Sequence, residues 1–326
     1  MAQLISGYDS LLLDLDGVVY LGNKPVKNAV SSILAVHSMG LKVGYVTNNA
    51  SRTQESMATQ LVSFGLPATS SGLIGSARAG AKMLLERIDV GEKVLVVGGE
   101  GLRVAVSEAG FEIVDSYKQL PRAVIQGFNH DVSWDDLAEA SYAIQNGAIW
   151  IATNQDWTIP KEDGIAPGNG TLVSAVHTAV GILPEVAGKP FAPIFLEAIS
   201  QLDVSNPLFV GDRLDTDIRG ANNFGIDSAC VMTGIATRKE LLGARAEDRP
   251  KFILADLSEL LVDYPKSKKT KYGVRVNRTE VELLAGKVLV SRGDPSSLDA
   301  LRAASELIWN CGTPIYALDV EPALFS

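Results

Sequence analysis

The 326-residue chain has two cysteines, three histidines and only 6% aromatic residues. Cys230 and Cys311 lie far apart, and neither belongs to a CxxC or a Cys/His spacing. That argues against structural zinc and against a disulfide framework. No stretch approaches the ~18 consecutive apolar residues that a membrane-spanning helix needs. Residues 1–7 show neither a basic leader nor a long apolar run. A cytoplasmic protein with no membrane partner is the expectation. Basic residues are also in the minority, 29 against 38 acidic, for a net charge of −9. A nucleic-acid binder would show a basic face, so that class is disfavoured. An anionic substrate would need a local positive site, from a metal, a lysine or backbone N–H groups.

What is present is ordinary apolar content, 46%, spread over more length than one domain uses. The chain is organised around Leu11-Leu12-Leu13-Asp14-Leu15-Asp16-Gly17, an apolar run ending in two aspartates and a glycine. Residues two apart on a strand point the same way, so the two carboxylates are expected to project together. Like charges that close imply a cation, a shared proton or a catalytic task. A helical spacing covers 26–39, a strand 41–46 ends in Thr47-Asn48-Asn49, and a helix is expected from Ser51 with Gln54 completing a capping box. This is βαβα, the mark of a parallel sheet covered by helices. From about residue 73 a second series of strands and helices begins, followed by an irregular loop at 154–170. Gly98-Gly99-Glu100-Gly101 follows a strand but lacks GxGxxG, and reads as a structural turn.

The first pattern resumes with Lys189-Pro190 and a helix. An apolar strand then runs into Gly211-Asp212-Arg213-Leu214-Asp215-Thr216-Asp217. A first domain thus begins, is interrupted, and is completed about 110 residues later. The basic segment 265–271 reads as a solvated linker. The short strands and one helix of 272–326 are too few for an independent core, and are expected to pack on the main body or on a partner chain.

Asp14/Asp16, Thr47/Asn48, Lys189 and Asp212/Asp217 all sit at strand ends or at a helix start. In an open parallel sheet such ends form one rim, where ligands bind. Together they supply a nucleophilic carboxylate, a second acid, a hydroxyl, an ammonium and further carboxylates. Hard oxygen ligands without a His/Cys cluster suit Mg2+. The convergent reading is phosphoryl transfer through an aspartyl-phosphate.

These four segments, in this order, resemble the four motifs of the haloacid dehalogenase superfamily. Thr47 lies 33 positions after Asp14 and Lys189 lies 142 after Thr47, so the room for an inserted domain is between the second and third motifs. That spacing, with Asn154-Gln155-Asp156 and Pro167-Gly168-Asn169-Gly170, resembles the NagD or p-nitrophenylphosphatase-like branch with a C2-type cap. The resemblance implies an α/β fold: a Rossmann-like parallel-sheet core (1–74 and 183–264), an inserted smaller α/β cap (75–182), a linker (265–271) and a short α+β C-terminal extension (272–326). It implies that Asp14 is the nucleophile and Asp16 the general acid/base. Mg2+ would be held by Asp14, the Asp16 carbonyl and Asp212. Thr47 and Lys189 would hold phosphate oxygens, with help from backbone N–H groups near Asn48, and Asp217 would orient the metal shell or Lys189. Asn154, Asp156 and His130 are the cap's candidates for reading the substrate.

The expected activity is hydrolysis of a small phosphomonoester, with glycerol phosphate or a similar polyol phosphate favoured. Pyridoxal phosphate, nucleoside monophosphates and sugar phosphates are the alternatives. A phosphomutase or phosphotransferase, or a receiver-like phospho-acceptor, is the different class. Self-association through the cap or the extension is left open.

Overall fold

The computed structural model describes residues 3–161 and 163–325. Met1, Ala2, Glu162 and Ser326 lie outside the described residues. The chain forms two compact units, Met1–Val43 with Val204–Ser326, and Gly44–Asp203.

In the first unit, strands Phe252–Leu254, Asp227–Val231, Pro207–Gly211 and Ser10–Leu13 run parallel in that order. Pro207–Gly211 and Ser10–Leu13 are buried along their whole length, which is why Leu11–Leu13 and Pro207–Val210 are apolar throughout. Helix Ala29–Ser38 turns Ile33 and Val36 inward, the 3.6-residue period read from the sequence.

The C-terminal segment is part of this unit. Residues 265–271 are not a bare linker, because Ser267–Lys269 pairs antiparallel with Gly273–Val276. The sheet continues through Thr279–Leu284 and Lys287–Arg292, with Asp319–Val320 added in parallel. Helix Leu298–Asn310 lies against it. Its Leu301, Ala304 and Ile308 share one apolar cluster with Ile218, Leu241, Leu242 and Ile253 of the preceding α/β part. Arg302, buried, donates to Ile253 O at 2.9 and 2.7 Å and to Glu259 Oε2 at 2.8 Å. The segment therefore has no core of its own and completes another. Leu301→Ala should cost about 2–5 kcal/mol, the usual penalty for a cavity at a fully buried leucine. Urea unfolding would show it as a lower midpoint.

In the second unit, Lys42–Thr47 and Leu73–Gly75 pair in parallel. A separate sheet runs Glu185–Val186, Ile149–Ala152, Ala123–Gln126, Lys93–Val97, Glu112–Val114, all parallel. Helices Trp134–Gln145 and Asn169–Val180 bury Ala140, Ile144, Val173 and Val176 against Leu95, Val124 and Trp150. The expected irregular loop 154–170 contains a hairpin instead, with Thr158–Lys161 paired to Gly164–Pro167. Helix Gln54–Ser63 starts later than expected. Thr53 is its cap, accepting from Ser56 N–H at 3.2 Å, while Ser51 bonds Asn49 Oδ1 and leaves Gln54 outside any capping box.

Candidate active site

One polar cluster belongs to the first unit. Strand Ser10–Leu13 stops before the aspartates, although Asp14 N–H still donates to Val210 O at 2.9 Å. The chain then turns. Val19 N–H donates to Leu15 O at 2.9 Å and Gly17 N–H donates to Tyr20 O at 2.8 Å. Asp14 is 9% exposed and Asp16 is exposed. Gly17 has φ +81°, and a β-carbon there would overlap the Asp212 carboxylate. Only glycine allows that approach.

Asp212 is the first residue beyond strand Pro207–Gly211. Its Oδ2 accepts from Ile235 N–H at 2.8 Å, and its carbonyl accepts from Ala236 N–H at 2.9 Å. Asp217 lies on a π-helical turn, Leu214–Ile218, and its Oδ2 accepts from the N–H groups of Asp212 and Arg213, both at 3.1 Å. Asp14, Asp212 and Asp217 each bring a carboxylate oxygen into a set lying within 4.8 Å of one another. Three hard anionic oxygens, with no imidazole or thiolate among them, fit Mg2+. Cys230 is no competitor for the ion or the chemistry. Burial, then the Asp212 and Asp217 charges, push its thiol up and keep it protonated.

The second cluster belongs to the second unit. Thr47 ends its strand, and its Oγ1 accepts from Asn49 N–H at 3.0 Å, which leaves its proton to donate. Lys189 is 2% exposed and its Nζ donates to Val46 O at 3.3 Å. The Lys189–Pro190 bond is cis. The Asn48 side chain is engaged within the protein. Its Oδ1 accepts from Lys189 N–H at 2.8 Å, and its Nδ2 donates to Lys189 O at 3.1 Å and to Asp156 Oδ1 at 3.1 Å. Both ends of the amide are engaged by protein, so the side chain has nothing left for a phosphate.

Asn154 also holds the protein together. It is buried, donates from Nδ2 to Asn48 O at 2.8 Å, and accepts Asp156 N–H on Oδ1 at 3.1 Å. Asp156 is half-buried on Asn48. His130 is exposed and stacks edge-on against Phe128, and among the described residues it has no hydrogen bond to this set.

Sequence reasoning missed several supports. Ser76 Oγ donates to Asn48 O at 2.7 Å, Asn169 Nδ2 to Asn154 O at 2.8 Å, and Gly188 leaves room for Asn48 Oδ1. Gly234 does the same for Asp212. A Gly before the motif lysine was the one available sign. The Gly98–Gly101 turn is a packing turn: Gly101 N–H donates to Ser51 O at 3.1 Å, and a β-carbon at Gly101 would overlap the Arg52 carbonyl.

Each unit brings groups suited to small, oxygen-rich anions: strand-end carboxylates for a cation in the first, and a buried lysine on a glycine turn in the second. The comparisons with known proteins agree. A family model described as haloacid dehalogenase-like hydrolase matches residues 11–112, and a second HAD-like hydrolase model matches 186–260. The chain is 42% identical over 263 residues to a D-glycerol 3-phosphate phosphatase of Mycobacterium tuberculosis, covering 81% of this chain and 74% of that one. It is 34% identical to an acid sugar phosphatase of Staphylococcus saprophyticus, over 80% of this chain and all of that one. A crystal structure of glycerol phosphate phosphatase from Mycobacterium tuberculosis in complex with magnesium aligns with a TM-score of 0.88 at 36% identity, covering 98% of this chain and 96% of that one. A p-nitrophenyl phosphatase from Archaeoglobus fulgidus aligns at 0.72 and 28%, over 78% and 98% of the two chains. The chain belongs to the haloacid dehalogenase-like hydrolase family, in its NagD or p-nitrophenylphosphatase-like branch.

Proposed function

We propose that the protein is a Mg2+-dependent phosphatase of small phosphomonoesters, with glycerol phosphate or a similar polyol phosphate as its substrate. The observation that carries it is the buried Asp14 carboxylate grouped with Asp212 and Asp217. A carboxylate so placed is a nucleophile for phosphorus once a cation offsets its neighbours. The named phosphatase at 42% identity and the magnesium complex of the aligned structure support the substrate and the ion.

In this reading Asp14, the Asp16 carbonyl and Asp212 would hold Mg2+, with Asp217 fixing the Asp212–Arg213 backbone. When bound, the ion offsets the charge of the carboxylates and of the phosphoryl oxygens. Thr47 Oγ1 and Lys189 Nζ hold two of those oxygens. A carboxylate oxygen of Asp14 forms a bond to phosphorus as the bond to the substrate oxygen breaks. Asp16, open to solvent, gives that oxygen its proton. In the second half Asp16 takes a proton from water. The water oxygen bonds to phosphorus, and the phosphorus bond to Asp14 breaks, freeing phosphate.

A cytoplasmic setting is part of this reading. It is supported by two free cysteines and by the lack, among the described residues, of any helix long and apolar enough to cross a membrane.

The test is phosphate release from glycerol, sugar, nucleotide and pyridoxal phosphates, with and without Mg2+. Glycerol phosphate should be fastest, and a chelator should reduce the rate at least about a hundred-fold. A faster rate on pyridoxal phosphate or nucleotides would overturn the substrate assignment. The acid sugar phosphatase relative supports sugar phosphates as the second reading. A higher kcat/KM on those substrates would select it.

A further inference from the structure

We infer that Asn48 is a positioning residue for Lys189, and that it makes the placement of the lysine conditional on the seating of loop 154–156. The inference rests on the phosphatase reading above and goes beyond it.

Asn48 encircles the Lys189 backbone. Its amide oxygen takes the Lys189 N–H and its amide nitrogen gives a proton to the Lys189 carbonyl, at 2.8 and 3.1 Å. Two bonds to one residue fix both its position and its rotation. There is no slack on the neighbouring side, because a β-carbon on Gly188 would overlap Asn48 Oδ1. The lysine's ammonium is therefore aimed from a backbone that one side chain holds.

That side chain is held in turn by the loop. The second Nδ2 proton of Asn48 goes to Asp156, whose Oδ1 and Oδ2 lie at 3.1 and 3.3 Å. Asp156 N–H donates to Asn154 Oδ1, Asn154 Nδ2 donates to Asn48 O, and Asn154 O takes the Asn169 amide proton at the start of helix Asn169–Val180. A carboxylate on an amide proton makes a charge-assisted bond, which polarises the amide and fixes its rotamer. If the loop withdraws, Asn48 loses Asp156, its amide gains freedom to rotate, and the two bonds it makes to the Lys189 backbone are weakened. The phosphate-binding lysine is then held firmly only when loop 154–156 is seated.

The experiment uses the full-length protein with Mg2+ and its best phosphomonoester from the screen. Asn48→Asp keeps the shape but sets an anionic oxygen against both the Lys189 carbonyl and the Asp156 carboxylate. It should lower kcat/KM about a hundred-fold, the scale of unpaired buried polar groups. Asp156→Asn alone should lower it only about three-fold, because an amide oxygen still accepts the Asn48 proton. In the double variant the new amide at position 156 can donate to the new carboxylate at position 48. About ten-fold of the loss should then return, as interacting neighbours require.

Residues in contact couple whatever their role, so KM is the separating readout. A misplaced lysine raises KM at an unchanged melting temperature, whereas a merely structural role lowers kcat/KM and melting temperature together. Multiplied losses in a folded double variant, while the wild type releases phosphate, would overturn the inference and leave the phosphatase reading standing. A wild type that releases no phosphate from any substrate would overturn both. Thermal melting checks folding. If Asn48→Asp does not fold, the cycle is run with Asn48→Ser and Asp156→Ala, and a combined loss equal to the product of the single losses overturns the inference.

Discussion

Asp14→Asn is expected to abolish phosphate release, by at least about ten-thousand-fold, while the protein stays folded. The amide has the same shape and still accepts hydrogen bonds, so the turn after strand Ser10–Leu13 has no steric reason to change. It lacks the charge and the nucleophilic lone pair that the phosphoryl group requires. The same substitution has a second readout that does not depend on turnover. Three carboxylates within 4.8 Å repel one another in the metal-free protein. Removing one should raise the melting temperature of the metal-free form. It should also shrink the further rise that millimolar Mg2+ gives the wild type, because that rise follows the free energy of binding. Retained activity in Asp14→Asn, or an undiminished magnesium shift, would count against the assignment of nucleophile and ligand.

Lys189→Met should be the next most damaging change. The ammonium is almost fully buried, and such a charge is kept only where an anion or a carbonyl meets it. Methionine keeps an apolar chain of similar length but removes the positive charge on which the proposed phosphate site relies. A fall in kcat/KM of about a thousand-fold is expected, with KM raised as well as kcat lowered, since the lost charge serves both bound substrate and transition state. Stability should fall by about 1–3 kcal/mol, because the Val46 carbonyl loses its buried donor. A variant with unchanged KM would mean that the phosphate is held elsewhere.

The parallel strands were readable because each is buried on both faces and so carries almost no polar residue. Ser10–Leu13 and Pro207–Gly211 gave themselves away in that manner. The acidic, hydroxyl and lysine clusters were readable because each interrupts such a run or follows it at a turn. Asn48 shows where this reasoning stops. Its place beside Thr47 pointed to phosphate, and only the Lys189 and Asp156 partners, distant in sequence, reveal that its amide is already engaged. The hairpin Thr158–Lys161 with Gly164–Pro167 escaped for a related reason. Its sequence mixes proline, glycine and acid with few alternating apolar positions, so no period of two was visible. The strand Ser267–Lys269 was hidden by charge, its lysines suiting an edge strand as well as a solvated segment.

The shared apolar cluster of the first unit ties the C-terminal helix to chemistry it never touches. Ile218 closes the π-helical turn that bears Asp217, Leu214 opens it, and both rest on the same interior as Leu301 and Ile308. Asp217 in turn grips the amides that aim Asp212. Wear in the tail would therefore surface as a weakened hold on the divalent ion before it surfaced as unfolding. A tail lying outside every catalytic motif would then tune the enzyme's appetite for magnesium.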